Sequence, residues 1–355
     1  MLTMKLKTGI VGLCSDHLWP VWGKGVIKEL QETGKYGLIA AADRNPELLD
    51  RIKKEFGVTK TYNSYQEMVR KESLDVVVIG VPNNEKADVV ETVAEKSIHV
   101  LIDKPLSANL NQAEKTLNAT KKHNIKGLVY YPTIYDPRSY EVHKYIARGE
   151  IGRVFQIESR TANAGPELHG CSKYFLEWLF DKERNGGGAS IDYCCYGALR
   201  SRWLIGQPEG VMGLGGRYVK ENIQAEDNAV LLLRYPKAMA IVEGSWSQFA
   251  SDTAWKAYCV PLLAVYGSEG SILWKHWSDE TITLITEDYP EGKEIKPEPP
   301  PKEMENAAEY FAYCILKDKP VEGGGNLQIC RDVQEILEAG YRSIEARKEI
   351  PLPIK

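Results

Sequence analysis

Short, unbroken apolar runs alternate with amphipathic segments along the first part of the sequence, and this limits the fold more than any other feature. Residues 7 to 13, 37 to 43 ("GLIAAAD"), 75 to 81 ("DVVVIGV") and 98 to 103 ("IHVLID") show no in-and-out alternation, the pattern of strands buried on both faces. Between them lie segments of helical texture: residues 23 to 33, "NPELLDRIKKEFG", "SYQEMVRKE" and "EKADVVETVAEK". The second carries its own start signal, with Asn45 placed as N-cap and Pro46 at the first helical position. Strand and helix in turn predict a doubly wound, Rossmann-type parallel sheet over residues 1–127.

Beyond residue 128 the texture changes. "GRVFQIESRTAN", "VMGLGGRYV", "NAVLLLRYP", "AMAIVEGSWS", "LLAVYGSEGSILWK" and "TITLITE" read as strands at hairpin or meander spacing. They predict a second, α+β domain over 128–355, built on a large, mostly antiparallel open sheet. A proline-rich surface connection, "KPEPPPKE", then leads to two helices at about 303–317 and 328–347. A length of 355 residues suits two domains of ~100 to 200 residues each.

Composition removes several function classes. The 45 basic and 49 acidic residues give no basic field for nucleic acid. No apolar segment approaches the ~20 residues that span a bilayer, so no membrane partner is expected, and the N-terminus reads as a first strand rather than a targeting segment. Seven cysteines (14, 171, 194, 195, 259, 314 and 330) form an odd set with no C-x-x-C pair. That pattern suggests neither disulfides nor a metal site, and it points to free thiols in a reducing cytoplasm.

A first strand followed by "GLCSDH" is where a dinucleotide fingerprint belongs, because pyrophosphate sits on free N–H groups where a helix begins. Gly12 supplies the first glycine, but Cys14 and His17 stand at the places of the second and third. The stretch Gly12, Cys14, Ser15, Asp16 and His17 is thus either a cofactor loop or an ordinary strand-to-helix turn. Asp43, ending the second strand, favours the cofactor loop: a carboxylate there accepts the ribose hydroxyls of NAD and repels the extra phosphate of NADP. Arg44 beside it keeps NADP open, and Pro82 and Asn83, just past the third run, complete the candidate cofactor contacts.

Two further features point to chemistry. Lys104, in "IDKPLSANL", leaves the fourth strand into the crevice where open α/β sheets bind ligands, and it is counted with both cofactor and substrate contacts. "GGGASIDYCCYGALRSRWLIG", residues 186 to 206, predicts a flexible glycine approach to one helix. On it Asp192, Tyr196, Leu199 and Trp203 share a face.

The sequence as a whole resembles the family of glucose-fructose oxidoreductase and inositol dehydrogenase. The resemblance is carried by "DVVVIGVPNNEKADVVETVAEKSIHVLIDKPLS", "YDPRSYEVHKYIARGEIGRV", the 186–206 stretch, "VYGSEGSI" and "ILEAGYRSIEARKEIPLP". Lys104 matches the lysine of the family's Glu-Lys-Pro motif, with Asp103 in place of Glu. Asp192 matches the first residue of its Asp-x-Gly-x-His-x-x-Asp signature. Cys194 replaces Gly, Tyr196 stands where many members have His, and Leu199 replaces the last Asp. A tyrosine there is similar to the branch containing xylose and dihydrodiol dehydrogenases.

The resemblance implies an NAD- or NADP-dependent oxidoreductase acting on a hydroxyl or carbonyl carbon of a sugar or polyol. In it Tyr196 is general acid/base, Lys104 assists and Asp192 holds substrate. A nearby Lys104 ammonium is expected to lower the Tyr196 pKa. The resemblance also implies a homo-oligomer, dimer or tetramer, assembled through the C-terminal sheet. His169, on the loop "GPELHGCSKY", and Trp19, in the first loop with Trp22, are further candidate substrate contacts. Some departures bear on substrate: a histidine frequent in the family aligns with Lys86, and its Asn-x-Arg aligns with Pro132 and Ile134. Two other readings stay open, an NAD-using epimerase, lyase or glycosidase-type enzyme with transient oxidation, and a non-catalytic sugar or NAD sensor.

Overall fold

A computed structural model describes residues 5–248, 262–276 and 278–355. Six strands form a parallel sheet: β1 (Leu6–Val11), β2 (Tyr36–Ala42), β3 (Lys60–Tyr62), β4 (Val76–Ile79), β5 (His99–Asp103) and β6 (Gly127–Tyr130). Their order is β3-β2-β1-β4-β5-β6, so direction of winding reverses between β1 and β4. The intervening helices are α1 (Gly25–Glu32), α2 (Pro46–Phe56), α3 (Tyr65–Lys71), α4 (Lys86–Ala94) and α5 (Leu110–Lys122). Asn45 caps α2 as expected, its side chain accepting from the Glu47 N–H, and Gly57 ends the helix in the left-handed region at φ 69°. Sequence reading missed β3, whose three residues are too short to show a pattern. It also stopped the sheet at residue 127, whereas β6 continues the parallel sheet to Tyr130.

The alternation expected of buried strands is visible in the two cores. Ile10, Val76, Val78 and Leu101 face one layer with α1 and α2, while Val11, Val77, Ile79 and Ile102 face the other with α4 and α5. At ~1.5–3 kcal/mol for each fully buried large apolar side chain, these layers dominate stability.

The remaining elements are α6 (Pro137–Ala147), β7 (Val154–Ala162), α7 (Lys173–Leu179), α8 (Lys182–Asn185), α9 (Ala189–Asp192), α10 (Cys194–Ile205), β8 (Gly210–Gly216), β9 (Asn228–Arg234), β10 (Met239–Ser245), β11 (Leu263–Gly267), β12 (Gly270–Trp274), β13 (Ile282–Thr286), β14 (Tyr289–Ile295), α11 (Ala307–Leu316), α12 (Leu327–Ala346) and β15 (Ile350–Pro351). Nine strands make the second sheet, in the order β14-β13-β12-β11-β7-β10-β9-β8-β15. It is antiparallel except for β7 beside β10, which run parallel. Its inner face packs against α10 and α12 through Ile157, Val242, Leu231 and Leu199. Its outer face carries exposed Met212, Leu214, Leu232 and Met239.

The last part of the chain returns to the first sheet. Ala307, Phe311 and Cys314 of α11 are buried in the same core as Ile10 and Leu128. Tyr36 Oη donates to the Ala308 carbonyl at 2.7 Å, and the Val129 N–H donates to Gly325 O at 2.9 Å.

The expected single helix over 186–206 is two. Tyr193, at φ −107° and ψ −39°, interrupts it between α9 and α10. The glycines before it serve close approach rather than flexibility. A Cβ on Gly186 would stand 2.1 Å from Ala108 O, and one on Gly188 would stand 2.0 Å from Glu226 O. Glu226 fixes the start of α9, accepting from the N–H groups of Gly188 at 2.8 Å and Ser190 at 2.9 Å.

Candidate active site

The β1/β4 switch point opens a crevice at the strands' carboxyl ends. Gly12 leaves β1 at φ +79°, and a Cβ there would stand 2.5 Å from Val81 N, so only glycine lets the two strand exits approach this closely. The Leu13 and Asn45 N–H groups donate to the two carboxylate oxygens of Asp43 at 2.6 and 2.7 Å. This pairing joins the exits of β1 and β2. Burial pushes the Asp43 pKa up, against those hydrogen bonds. A cavity of about 540 Å³ lies beside them, lined by Gly12, Cys14, Asp43, Arg44 and Pro82, with Tyr174 of α7 and Arg184 of α8 closing it from the other side. Arg44 is exposed and pairs with Glu85 at 3.2 Å.

The other candidate cofactor residues are placed differently. Ser15 and Asp16 are buried and turn their side chains inward. Ser15 Oγ donates to Asp103 Oδ2 at 2.6 Å, and Asp16 accepts from the Ser172 N–H at 2.6 Å. Both side chains are therefore committed to partners within the protein. Asn83 is corrected in the same sense: fully buried, its amide donates to Asn185 Oδ1 at 2.7 Å, joining the exit of β4 to α8.

His17 Nδ1 lies 3.1 Å from Asp103. Burial opposes the Asp103 charge, but His17, Lys86 and Ser15 overcome it and hold the carboxyl pKa at about 2. Because that pKa is depressed from 3.8, the stabilisation it represents is present above pH 3.8 and is lost as pH falls through about 2. Asp103→Asn should remove this part of the acid dependence, worth about 2 kcal/mol. Unfolding free energies of both proteins from pH 2 to 5 test this: a constant difference across that range would refute it.

Lys104, just past β5, is 2 % exposed. Its ammonium forms a short ion pair with Asp192 Oδ1 and also donates to the Asp192 carbonyl at 3.2 Å. Trp246 Nε1 donates to the other carboxylate oxygen at 3.1 Å. The same ammonium lies 5.0 Å from the centroid of the Tyr196 ring, over its face. Tyr131 packs edge-on against that ring at 5.8 Å. Burial works against the Lys104 charge, but Asp192 prevails and holds its pKa well above the ordinary value.

Lys104 pulls the Tyr196 pKa down as expected, but the net shift is upward. Burial raises its pKa, and the pull of Lys104, already paired with Asp192, only partly offsets this. Tyr196 therefore rests as a neutral phenol. No hydrogen bond to its hydroxyl is made among the described residues.

The four residues expected on one helix face also separate. Asp192 and Tyr196 meet Lys104, whereas Leu199 is in the core and Trp203 stacks on His143 at 4.7 Å. Trp19 is likewise corrected from substrate contact to core. It is 1 % exposed, its indole N–H donates to Leu13 O at 2.8 Å, and Arg51 covers one face at 4.0 Å. Trp22 instead faces outward, stacked on His169 at 5.2 Å and tilted against His17 at 5.4 Å. Burial lowers the His169 pKa, with the Asp192 charge opposing.

Two comparisons place this geometry. Residues 6–131 match the family description "Oxidoreductase family, NAD-binding Rossmann fold", and residues 140–273 match the GFO/IDH/MocA C-terminal domain. The chain belongs to the GFO/IDH/MocA oxidoreductase family.

Among its relatives, Myo-inositol 2-dehydrogenase of Thermotoga maritima is 25% identical over 263 residues, covering 72% of each chain. D-xylose 1-dehydrogenase (NADP(+)) of Hypocrea jecorina is 26% identical over 286 residues, 75% of this chain and 71% of the relative. A solved structure of levoglucosan dehydrogenase in complex with NADH and levoglucosan has the same fold, with a TM-score of 0.83 at 19% identity, covering 99% of this chain and 100% of that one. The GFO/IDH/MocA fold thus accounts for both sheets.

The residues present fit a dinucleotide. The side-chain-free cradle at Gly12, the Cys14 turn that follows it and the Asp43 carboxylate all border the same crevice. No group of three or more His, Cys, Asp or Glu among the described residues is placed to hold a metal ion, and no described helix is long and apolar enough to cross a membrane.

Sequence reasoning missed Lys86, Glu226 and Trp246. Lys86 had a signal, since it stands at a position where the family often has histidine. Trp246 sat inside a strand pattern, and Glu226 had none.

Proposed function

We propose that this protein transfers a hydride between NAD(P) and a hydroxyl or carbonyl carbon of a sugar or sugar-like polyol. The observation that carries this reading is the Lys104 ammonium at the exit of β5, paired with Asp192 and lying over the ring of Tyr196. When bound, the cofactor supplies the hydride acceptor or donor. Tyr196 gives its proton to a carbonyl oxygen or takes one from a hydroxyl, while Lys104 stabilises charge developing on that oxygen. Asp192 keeps Lys104 charged and in place, and its carboxylate is also available to a neighbouring substrate hydroxyl. Trp22, His169 and His17 form an aromatic wall suited to the C–H faces of a sugar ring.

In this reading the parallel sheet, through Tyr130, serves the cofactor, and the part that follows serves mainly the substrate. The outer face of the second sheet, with Met212, Leu214, Leu232 and Met239, joins copies into a homo-oligomer. Six cysteines among the described residues are free, in keeping with a reducing cytoplasm; Cys259 lies outside the described residues. Asp43 supports NAD, and the D-xylose relative's use of NADP(+) keeps that cofactor in the assay. Aldoses, inositols and anhydrosugars assayed with each dinucleotide by absorbance at the reduced nicotinamide band should reveal at least one oxidised substrate. A protein that binds neither dinucleotide would defeat the proposal.

A further inference from the structure

Lys86, the first residue of α4, is fully buried. Its ammonium has three N–H donors, and it meets three successive carbonyls: Asp103 at 2.6 Å, Lys104 at 3.2 Å and Pro105 at 2.8 Å. These carbonyls belong to the turn by which β5 delivers Lys104 to the crevice. A buried carbonyl without a donor costs about 1–3 kcal/mol, and here one side chain satisfies three in a row. The nearby charge is also balanced. Asp103 and Lys104 face Lys86 from the β5 exit, Cys195 from α10 and Cys14 from the β1 exit, and Asp103 offsets the repulsion between the two ammonium groups. Cation and anion thus alternate through the interior, from Lys86 past Asp103 to Lys104 and Asp192.

We propose that Lys86 is a positioning residue for the reaction, fixing the backbone that carries Lys104 so that its ammonium stays between Asp192 and Tyr196. The inference rests on the oxidoreductase reading, but its structural core does not need turnover to be tested. Lys86→Met removes all three donors at similar length, and Lys86→Gln restores neutral N–H donors.

Hydrogen exchange on the cofactor-free protein should show the amides around residues 102–107 opening at least tenfold faster in Lys86→Met. Exchange in β1, β4 and β9 should stay unchanged. In the assay kcat should fall roughly 100-fold, with the NAD Kd within about threefold of wild type and Lys86→Gln intermediate.

Burial pushes the Lys86 pKa down to about 8. Turnover of the wild type should therefore lose rate on the alkaline side through the deprotonation of this group, a limb absent from Lys86→Met. Unchanged local exchange, or exchange raised equally throughout the protein, overturns the inference. If Lys86→Met does not fold, the same exchange comparison on Lys86→Gln decides. A wild type that oxidises no sugar while Lys86→Met still loosens residues 102–107 would defeat the functional reading alone.

Discussion

Tyr196→Phe should lower kcat for either direction of the reaction by roughly two to four orders of magnitude, the range for loss of a positioned proton-transfer group. The substitution removes one hydroxyl for which no protein partner is found among the described residues. Folding stability should therefore change by less than about 1 kcal/mol, and the Tyr131 edge contact should persist. Substrate KM should move little and the dinucleotide Kd not at all.

The pH dependence supplies a second check. Burial raises the Tyr196 pKa, so on the proposed mechanism the proton donor for carbonyl reduction should be ready near neutral pH. Sugar oxidation needs the phenol to surrender its proton, so its rate should climb as pH rises until deprotonation of Lys86 opposes it. Initial rates in both directions from pH 6 to 10 test this. If Tyr196→Phe retained a tenth of the wild-type kcat, another group would have to carry the proton.

Lys104→Met should have the largest combined effect. Among the described residues it leaves the Asp192 carboxylate in the interior with the Trp246 N–H alone, and breaking a buried ion pair from one side costs about 3–5 kcal/mol. Turnover should vanish with it, because the cation proposed to stabilise the developing oxyanion is gone. The double variant Lys104→Met with Asp192→Asn should regain most of the lost stability, since no uncompensated charge is left, but none of the activity. Urea unfolding and single-turnover rates on the four proteins of that cycle separate the two consequences. A single variant as stable as the wild type would mean that Asp192 finds another cation or is not charged.

The fold was legible where one physical cause dominated. Runs such as "DVVVIGV" admit only a strand covered on both sides, and Asn45-Pro46 starts a helix wherever an amphipathic stretch follows. The pairing of Lys104 with Asp192 was legible only through the resemblance, because 88 residues separate them and no local pattern links a strand exit to a distant helix start.

Other features depended on what lies opposite in space. The three glycines at 186–188 looked like a loose approach because sequence does not show that Ala108 and Glu226 press against them. The break at Tyr193 escaped notice because a helical period of side chains survives a one-residue interruption. The sign of the net Tyr196 shift was misjudged for a related reason. Proximity of a cation was foreseen, but the depth of burial and the competing claim of Asp192 on that cation were not. Trp19 and Trp22, three positions apart, divide into core and surface, with Arg51 covering the buried one.

The return of α11 to the first sheet has a consequence for how the protein is made. The Rossmann-like half leaves the ribosome first, with α1 and α2 covering Ile10 and Val78, yet the end of that face at Leu128 is not covered until Ala307 and Phe311 arrive. Until then an apolar layer stays open to other chains, and the crevice above it is held by an unfinished scaffold. Synthesis of the last helices is therefore the event that closes both halves at once, and a nascent chain stalled before residue 307 would be a client for chaperones rather than half of an enzyme.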